Sequence, residues 1–581
     1  MAKGTSPFGI PFRGNGYGSG PFGGIDSMIM DHTKSGPAEP AIPASRWLVA
    51  LAASAAVFCL AHWKSLASPL VINDDLRQQI FWMQRWLDPA LYPPDLLNAY
   101  SEAYVPWGVK FLYWCGSWFM NPLQFSKVVT GALYCAQCLL LMGLGRRLGG
   151  RDAGWAALAA GWLMPFFLDN MAGGLSRAFA SPLLAAFALA WLLGSGTWLG
   201  RVLAAQALFI PYIFLPCALA VTAQKAWSHV KGRPGVWLNT RRHWIVLVAS
   251  AAAVLAFTQV YAMKGFGPLV SLAETAGRPE FGPKGRLDLA PLPNPFLDFV
   301  YFPFEGIGLF KELTLIPGIL SLCLLAWPLW KGAGQLPWRE LARRAKPLAW
   351  IGGSFLLFYV MARARAFALF VPDRYVQYPI NLFYALLLSA CLRAAWRARR
   401  AWTGKGATVA LLAVLAVAGG VRLMGVGLYD LRPDKALYDG VEAATPKDAL
   451  VAGHPDLMDN VQTFAKRNGF VNTELAQPWS VGYWNQIRPR LDGLFAAYYA
   501  EDAADVAAFA KHFGVDFLLV DESHFTREFL TRDPFFEPFG QAIRDMTRDR
   551  THFAVLDQSR FARIPLRPGA FLIDLRPYSR G

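Results

Sequence analysis

Residues 46–88 read RWLVALAASAAVFCLAHWKSLASPLVINDDLRQQIFWMQRWLD. An almost unbroken apolar run (46–63) is followed at once by an acidic pair, Asp74-Asp75, and then by a stretch mixing large apolar residues with Arg and Gln. About 20 apolar residues are needed to cross the hydrocarbon of a bilayer, so 46–63 reads as a membrane span. No signal-peptide cleavage pattern precedes it, so it is expected to stay as an anchor.

The same signal recurs at 126–145, 153–169, 180–196, 243–263, 312–331, 347–371, 379–396 and 407–426. The composition agrees: 54% of the 581 residues are hydrophobic and 17% charged, whereas soluble domains keep about a quarter charged. The 22 Trp suit a protein with two membrane–water interfaces. A net charge of +16 would suit nucleic acid, but the basic residues gather between spans. They fall into four clusters: Arg146, Arg147 and Arg151; Lys225, Lys231, Arg233, Arg241 and Arg242; Lys331, Arg339, Arg343, Arg344 and Lys346; Arg393, Arg397, Arg399, Arg400 and Lys405. The positive-inside rule puts all four in the cytoplasm, and no nucleic-acid partner is expected.

That placement constrains 201–227, whose ends Arg201 and Lys225 both belong in the cytoplasm although the segment between them is apolar. Pro211 and Pro216 near its middle each remove a backbone donor. Two short half-helices meeting inside the protein satisfy both constraints, since broken helices at membrane depth are tolerated where protein buries them. The N-terminus is then cytoplasmic, and the outside segments are 64–125, 170–179, 264–311, 372–378 and 427–581. Residues 1–45, rich in Gly, Pro and Ser, read as a disordered cytoplasmic tail.

Beyond 426 the apolar runs shorten to strand length at 449–453, 470–472, 517–520 and 571–575, with helical patterns at 456–468 and 503–513 and Gly514 as a C-cap. The expected architecture is an all-α polytopic membrane domain over 46–426, with about 11 membrane helices including the two short half-helices, plus a C-terminal soluble α/β domain over 427–581. Cys135-Ala-Gln-Cys138 has redox-motif spacing but sits mid-span, so it reads as buried small residues. No cysteine follows Cys391, so the C-terminal domain has no disulfide. No P-loop is present, which argues against a nucleotide-driven pump.

In the first outside loop, Leu76, Ile80, Met83 and Leu87 share a helical face, which predicts an amphipathic helix on the outer membrane surface. One of Asp74 and Asp75 would cap it; the other reading is a carboxylate pair acting as general base or metal ligand. Arg177 in a short outside loop, Arg363 and Arg365 near the outer end of 347–371, and Arg374 in Pro372-Asp-Arg-Tyr375 form a second set. Guanidinium groups suit phosphate, while snorkelling or pairing with Asp169 and Asp373 is the structural alternative. Asp169 is a candidate metal ligand or a plain helix end. His454, Asp456, Asp459, Asp521, Glu522 and His524 follow predicted strands, where α/β sites often form and where turns and caps also use such residues.

This pattern resembles the GT-C superfamily of membrane glycosyltransferases, which use polyprenyl-phosphate-linked sugars. The likeness rests on a first span followed by an outside loop with Asp74-Asp75, broken helices after Gly173-Gly-Leu-Ser-Arg177, the turn Pro372-Asp-Arg374-Tyr375, and a soluble domain after the last span carrying Thr445-Pro-Lys-Asp-Ala and the stretch from Tyr498 to Val520. It implies that Asp74 or Asp75 deprotonates an acceptor, and that Arg177, Arg363, Arg365 and Arg374, with Tyr375 beside them, hold the lipid phosphate. The implied partners are a polyprenyl-phosphate-sugar donor, the bilayer, and a glycan, lipid or protein acceptor. The implied place is the periplasmic face of a bacterial inner membrane. Some members use a divalent metal (Mg or Mn); Asp169 stands alone here as its candidate ligand. A lipid-linked glycan transporter or flippase would also use broken helices and intramembrane Arg, although no internal repeat is evident; a non-catalytic scaffold of the same fold is the third reading.

Overall fold

The computed structural model describes residues 43–232, 237–288, 291–292, 294–296, 298–299, 338–369, 371–398 and 420–579. The expected span 312–331, most of 407–426 and the tail 1–42 lie outside these residues. Five described helices are long and apolar enough to cross a membrane: Ala44–Ala61, Pro122–Gly149, Ser176–Leu193, Arg241–Met263 and Arg374–Ala394. A sixth span is a pair, Arg339–Ala345 and Leu348–Ala364, bent by 56° at its break. The chain is a multi-pass membrane protein.

The described stretches 153–169 and 201–227 are broken, and proline does the breaking. Residues before proline are driven out of the α region. Met164 (ψ 96°) accordingly ends Arg151–Leu163, and Pro165 opens Pro165–Met171. Ile210 (φ −150°, ψ 73°) ends Gly196–Phe209, and Pro211 opens Pro211–Val230. The last pair forms the expected hairpin, with its tip at Ile210–Pro211. Only its first arm is short, 14 residues or about 21 Å at 1.5 Å per residue. The second arm runs 20 residues, and Pro216 sits inside it without ending it.

The two ends of the bundle differ. At one, Arg344 reaches the Arg147 carbonyl, and Trp227 packs by Trp350. At the other, Phe179 packs on Phe209, and Tyr212 donates to Tyr378. Cys135 and Cys138 are buried free thiols within Pro122–Gly149.

The soluble part is built on a five-stranded mixed sheet of order β4-β3-β5-β7-β6: β3 (Leu450–Gly453), β4 (Asn468–Gly469), β5 (Phe517–Asp521), β6 (Arg563–Arg567) and β7 (Ala570–Asp574). β4, β3 and β5 run parallel; β7 and β6 are antiparallel additions. Helices Pro455–Phe464 and Ala503–Phe513 supply the crossovers that parallel strands require, and Gly514 closes the second in a left-handed conformation (φ 67°).

A small antiparallel ribbon ties the two parts together. β1 (Val71–Ile72) pairs with β2 (Tyr429–Asp430). Around it the Gly425 N–H donates to the Ala61 carbonyl (2.8 Å), His62 Nε2 bonds the Val426 carbonyl (3.1 Å), and the Leu431 N–H donates to the Leu70 carbonyl (2.9 Å). The exit of the first span is thereby fixed to the start of the soluble domain.

The expected surface helix is not there. Residues 76–86 form one α turn (Leu76–Gln79) and a 3-10 segment (Phe81–Trp86), with Ile80, Phe81, Trp82 and Met83 fully buried and packed against helix Pro455–Phe464. Four consecutive apolar side chains cover most of the segment's circumference, and burying all four takes a second domain on top. The segment lies between the soluble domain and the bundle. The exposed aromatic stripe belongs instead to Trp107–Ser117 and the residues after it: Trp107, Phe111, Trp114 and Trp118, at helical spacing.

Candidate functional site

The acidic pair leaves β1 at the point where three elements converge. Asn73 organises the turn: its Nδ2 donates to the Gly427 carbonyl (2.8 Å), and its Oδ1 accepts from Arg177 Nη2 (3.3 Å) and from the Asp75 N–H (3.2 Å). The loop carrying Arg177 comes close because Gly173 and Gly174 adopt left-handed φ (86° and 61°). A Cβ on Gly173 would meet Asn73 at 3.1 Å, and one on Gly174 would meet the Tyr113 hydroxyl at 2.8 Å. Tyr113 clamps the same loop by donating to the Gly173 and Gly174 carbonyls.

Asp75 does not cap the turn that follows it; its side chain makes no capping bond. Its Oδ2 pairs with Arg177 Nη1 at 2.5 Å, and its Oδ1 accepts from Gln78 Nε2 at 2.8 Å. Both Asp75 oxygens are thus committed. Asp74 Oδ1 accepts the Asp75 N–H (3.0 Å), and the carboxylate hydrogen-bonds the Tyr429 phenol on β2, pushing that phenol's pKa up. Both carboxylates are half-buried. The structural alternative, pairing of the arginines with Asp169 and Asp373, leaves out Asp75, the carboxylate that Arg177 meets here. Asp169 lies close by, its Oδ1 2.9 Å from where a Gly427 Cβ would stand. Among the described residues no group of three or more His, Cys, Asp or Glu is arranged to hold a metal ion.

Arg177 carries a further feature. Its Nε is buried and makes no hydrogen bond among the described residues. Buried donors of native proteins are nearly always satisfied, and a cationic N–H left without an acceptor marks a place for one.

The remaining arginines divide. Arg374 donates to Gln377 Oε1 (2.9 Å) and hydrogen-bonds Tyr378. Tyr212, at the tip of the proline hairpin, lies in the electrostatic reach of both Arg374 and Arg177 and donates to Tyr378 at 3.2 Å. The hairpin tip therefore links the two cations. Asp373 beside Arg374 is largely buried, its Oδ1 has no hydrogen bond among the described residues, and burial raises its pKa. Arg363 is taken up by Asp298 (3.3 Å), which also accepts from Tyr359 at 2.5 Å, and Arg365 is exposed. Tyr375 donates to the Leu369 carbonyl (2.8 Å) and stacks on Phe358, buried away from the acids.

The soluble domain supplies one residue the sequence did not single out. Glu474, in the loop after β4, pairs with Arg77 (3.0 Å) and Arg286 (3.3 Å) and accepts from Gln78 Nε2 at 2.5 Å. Gln78 therefore joins Glu474 to Asp75. Asp459, from the neighbouring helix, accepts the Glu474 N–H (2.9 Å); its own carboxyl is pushed well above the ordinary range by burial, opposed by Arg77. Burial likewise raises Glu474. The signal available beforehand was position alone: Glu474 follows a predicted strand end. His454 and His524 are neighbours, with Asp456 Oδ2 3.9 Å from His454 Nδ1. They face each other at 4.5 Å among Phe495, Phe529 and Phe535, and burial lowers them to about 4 and about 3, so both stay neutral. Asp521 is held by Arg567 at 2.9 Å.

No family model and no curated protein matches the chain. Solved structures do. The oligosaccharyltransferase of Archaeoglobus fulgidus, in complex with zinc and sulfate, matches at 15% identity over 84% of this chain and 70% of that one, with a TM-score of 0.46. ArnT from Cupriavidus metallidurans, bound to undecaprenyl phosphate, matches at 12% identity over 92% of this chain and 98% of that one, TM-score 0.47. An archaeal oligosaccharyltransferase complex with an inhibitory peptide and a dolichol-phosphate, also from A. fulgidus, matches at 14% identity over 85% of this chain and 72% of that one, TM-score 0.45.

Proposed function

We propose that the chain is an inverting GT-C-type glycosyltransferase that moves a sugar from a polyprenyl-phosphate carrier to an acceptor, at the membrane face covered by the soluble domain and with its N-terminus on the other side. In a bacterial inner membrane that face is periplasmic. The observation that carries the reading is the buried Arg177 Nε without an acceptor, set beside a carboxylate pair.

The chemistry divides between the two acids. Asp75, fully committed to Arg177 and Gln78, holds the cation in place. Asp74, which accepts from the Asp75 N–H and the Tyr429 phenol and pairs with no cation among the described residues, is the base that takes the proton of an acceptor hydroxyl or amine. The acceptor's lone pair forms a bond to the anomeric carbon from the face opposite the phosphate, and the bond from that carbon to the phosphate oxygen breaks. The electron pair leaves on the lipid phosphate, where Arg177, and Arg374 across the Tyr212 tip, stabilise the added charge. Preformed donors aimed at a developing anion supply much of an enzyme's acceleration. Arg363 and Arg365 are left out of this machinery, the first held by Asp298 and the second exposed.

The test is binding of undecaprenyl phosphate to purified protein, followed by transfer from a polyprenyl-phosphate sugar. Arg177→Ala should lose binding. Asp74→Asn should keep binding and lose transfer. Absence of saturable binding by well-folded wild type would remove the donor and with it the proposal.

A further inference from the structure

The end of the bundle away from the acid pair contains a cavity of about 370 Å3, within the range of small-ligand sites. Its wall comes from the last turn of Pro122–Gly149, the start of Arg151–Leu163, the bent pair Trp338–Ala345 and Leu348–Ala364, and the last turns of Arg374–Ala398. The position is far from the candidate site. Arg374 and Arg393 are 19 residues apart on one helix, about 28 Å at 1.5 Å per residue, and Arg393 lines the cavity.

The lining is aliphatic, with Leu148, Leu348, Leu386 and Phe383 set among glycines and alanines. Close helix packing accounts for two of the glycines: a Cβ on Gly145 would fall 2.4 Å from the Ala153 carbonyl oxygen, and one on Gly149 would fall 2.7 Å from Ala153 Cβ. Gly352 is different. A Cβ there meets nothing nearer than Phe383 at 3.5 Å, so this position is small without being forced to be. Apolar space at membrane depth is chemically matched to an acyl chain.

The rim is cationic. Gly149 lies against the Arg393 guanidinium, and Arg344 Nη1 reaches the Arg147 carbonyl oxygen at 3.5 Å. Arg343 and Arg344 share a single carboxylate, Glu340, at 2.5 and 2.7 Å. An apolar cavity under several arginines calls for a ligand with one hydrocarbon chain and an uncompensated phosphate. Basic pockets between membrane helices on the cytoplasmic side bind anionic headgroups in this way. A zwitterionic lipid brings its own cation and gains less.

We propose that this cavity binds an anionic glycerophospholipid from the leaflet opposite the acid pair, with one acyl chain among Leu348, Gly352 and Phe383 and the headgroup phosphate on Arg344 and Arg393. The site is separate from the donor site and does not depend on the reading given above.

The experiment is native mass spectrometry of the full-length protein titrated with phosphatidylglycerol or with phosphatidylcholine of equal chain length. Wild type should bind phosphatidylglycerol at least tenfold more tightly. Arg344→Gln with Arg393→Gln should erase that preference, and Gly352→Leu should reduce occupancy by both lipids by filling the cavity. Thermal unfolding and gel filtration report folding for each variant, and Gly352→Leu remains informative if the double variant fails to fold. Equal affinity of wild type for the two lipids would overturn the proposal. So would an unchanged preference in a folded double variant, undiminished occupancy in Gly352→Leu, or retention of undecaprenyl phosphate in place of phosphatidylglycerol.

Discussion

The two ends of the helix bundle treat charge in opposite ways. At the end bearing Asp74 and Asp75 almost every cation has a designated carboxylate: Arg177 on Asp75, Arg77 and Arg286 on Glu474, Arg363 on Asp298. At the other end Arg343 and Arg344 share Glu340. A domain packed over the first end excludes water and makes each unpaired group expensive, so the cations there are drawn onto buried or half-buried carboxylates, two of them onto Glu474. The second end carries its surplus where positive charge is favoured by the membrane itself. Half-buried pairs, with one donor left over on Arg177, suit a reaction site; exposed arginines around an apolar cavity suit anionic lipid.

The largest expected effect tests whether the matched end is a reaction site at all. Asp74→Asn should lower transfer from a polyprenyl-phosphate sugar by roughly 100- to 10,000-fold, the usual worth of a general base, with donor binding kept. Equal loss from Asp75→Asn and Arg177→Ala, each accompanied by weaker donor binding, would separate the holder from the base. Arg177→Ala should weaken undecaprenyl phosphate binding by about 1.5–3 kcal/mol, the scale of a hydrogen bond to a charged group, read by titration in detergent. Arg363→Ala is the contrasting cut: it should cost about 1 kcal/mol of stability as a partly exposed pair and leave that affinity unchanged. If both arginines moved affinity alike, the division of the outer cations drawn here would fail.

A smaller effect concerns Asp459. Burial raises its carboxyl, so the folded protein keeps a proton that the unfolded chain gives up. Its favourable contribution is present below the ordinary carboxylate range and is lost as pH rises through the raised value. Asp459→Asn, which can still accept the Glu474 N–H, should therefore raise the melting temperature at pH 8 by more than at pH 4. Thermal unfolding at the two pH values decides it; an equal shift at both would show that Asp459 titrates normally.

Periodicity made much of the membrane part legible. The apolar runs, the proline break near 211 and the mixed sheet beyond residue 449 all have local causes: transfer energy, a missing N–H, strand-length burial. Residues 76–87 were misread because helical spacing of Leu76, Ile80, Met83 and Leu87 looks the same on a membrane surface and beneath a second domain. Arg177 and the acids were visible as charges in apolar surroundings, but their pairing was not, because Asn73 and Gly173 bring them together across about a hundred residues. Glu474 escaped notice for the same reason. Its role comes from Gln78 and Arg77, nearly four hundred residues earlier in the chain, and nothing in its own neighbourhood announces it.

The ribbon of β1 and β2 also sets an order of events during synthesis. Val71 finds its partner only at Asp430, so a growing chain carries Asp74 and Asp75 through the insertion of most of the bundle before the turn that aims them can close. Contacts of such long sequence separation form late and slowly. A nascent protein halted before β2 would hold its spans in the membrane and its acids in water, anchored but inert, and completion of the ribbon would be the step that arms it.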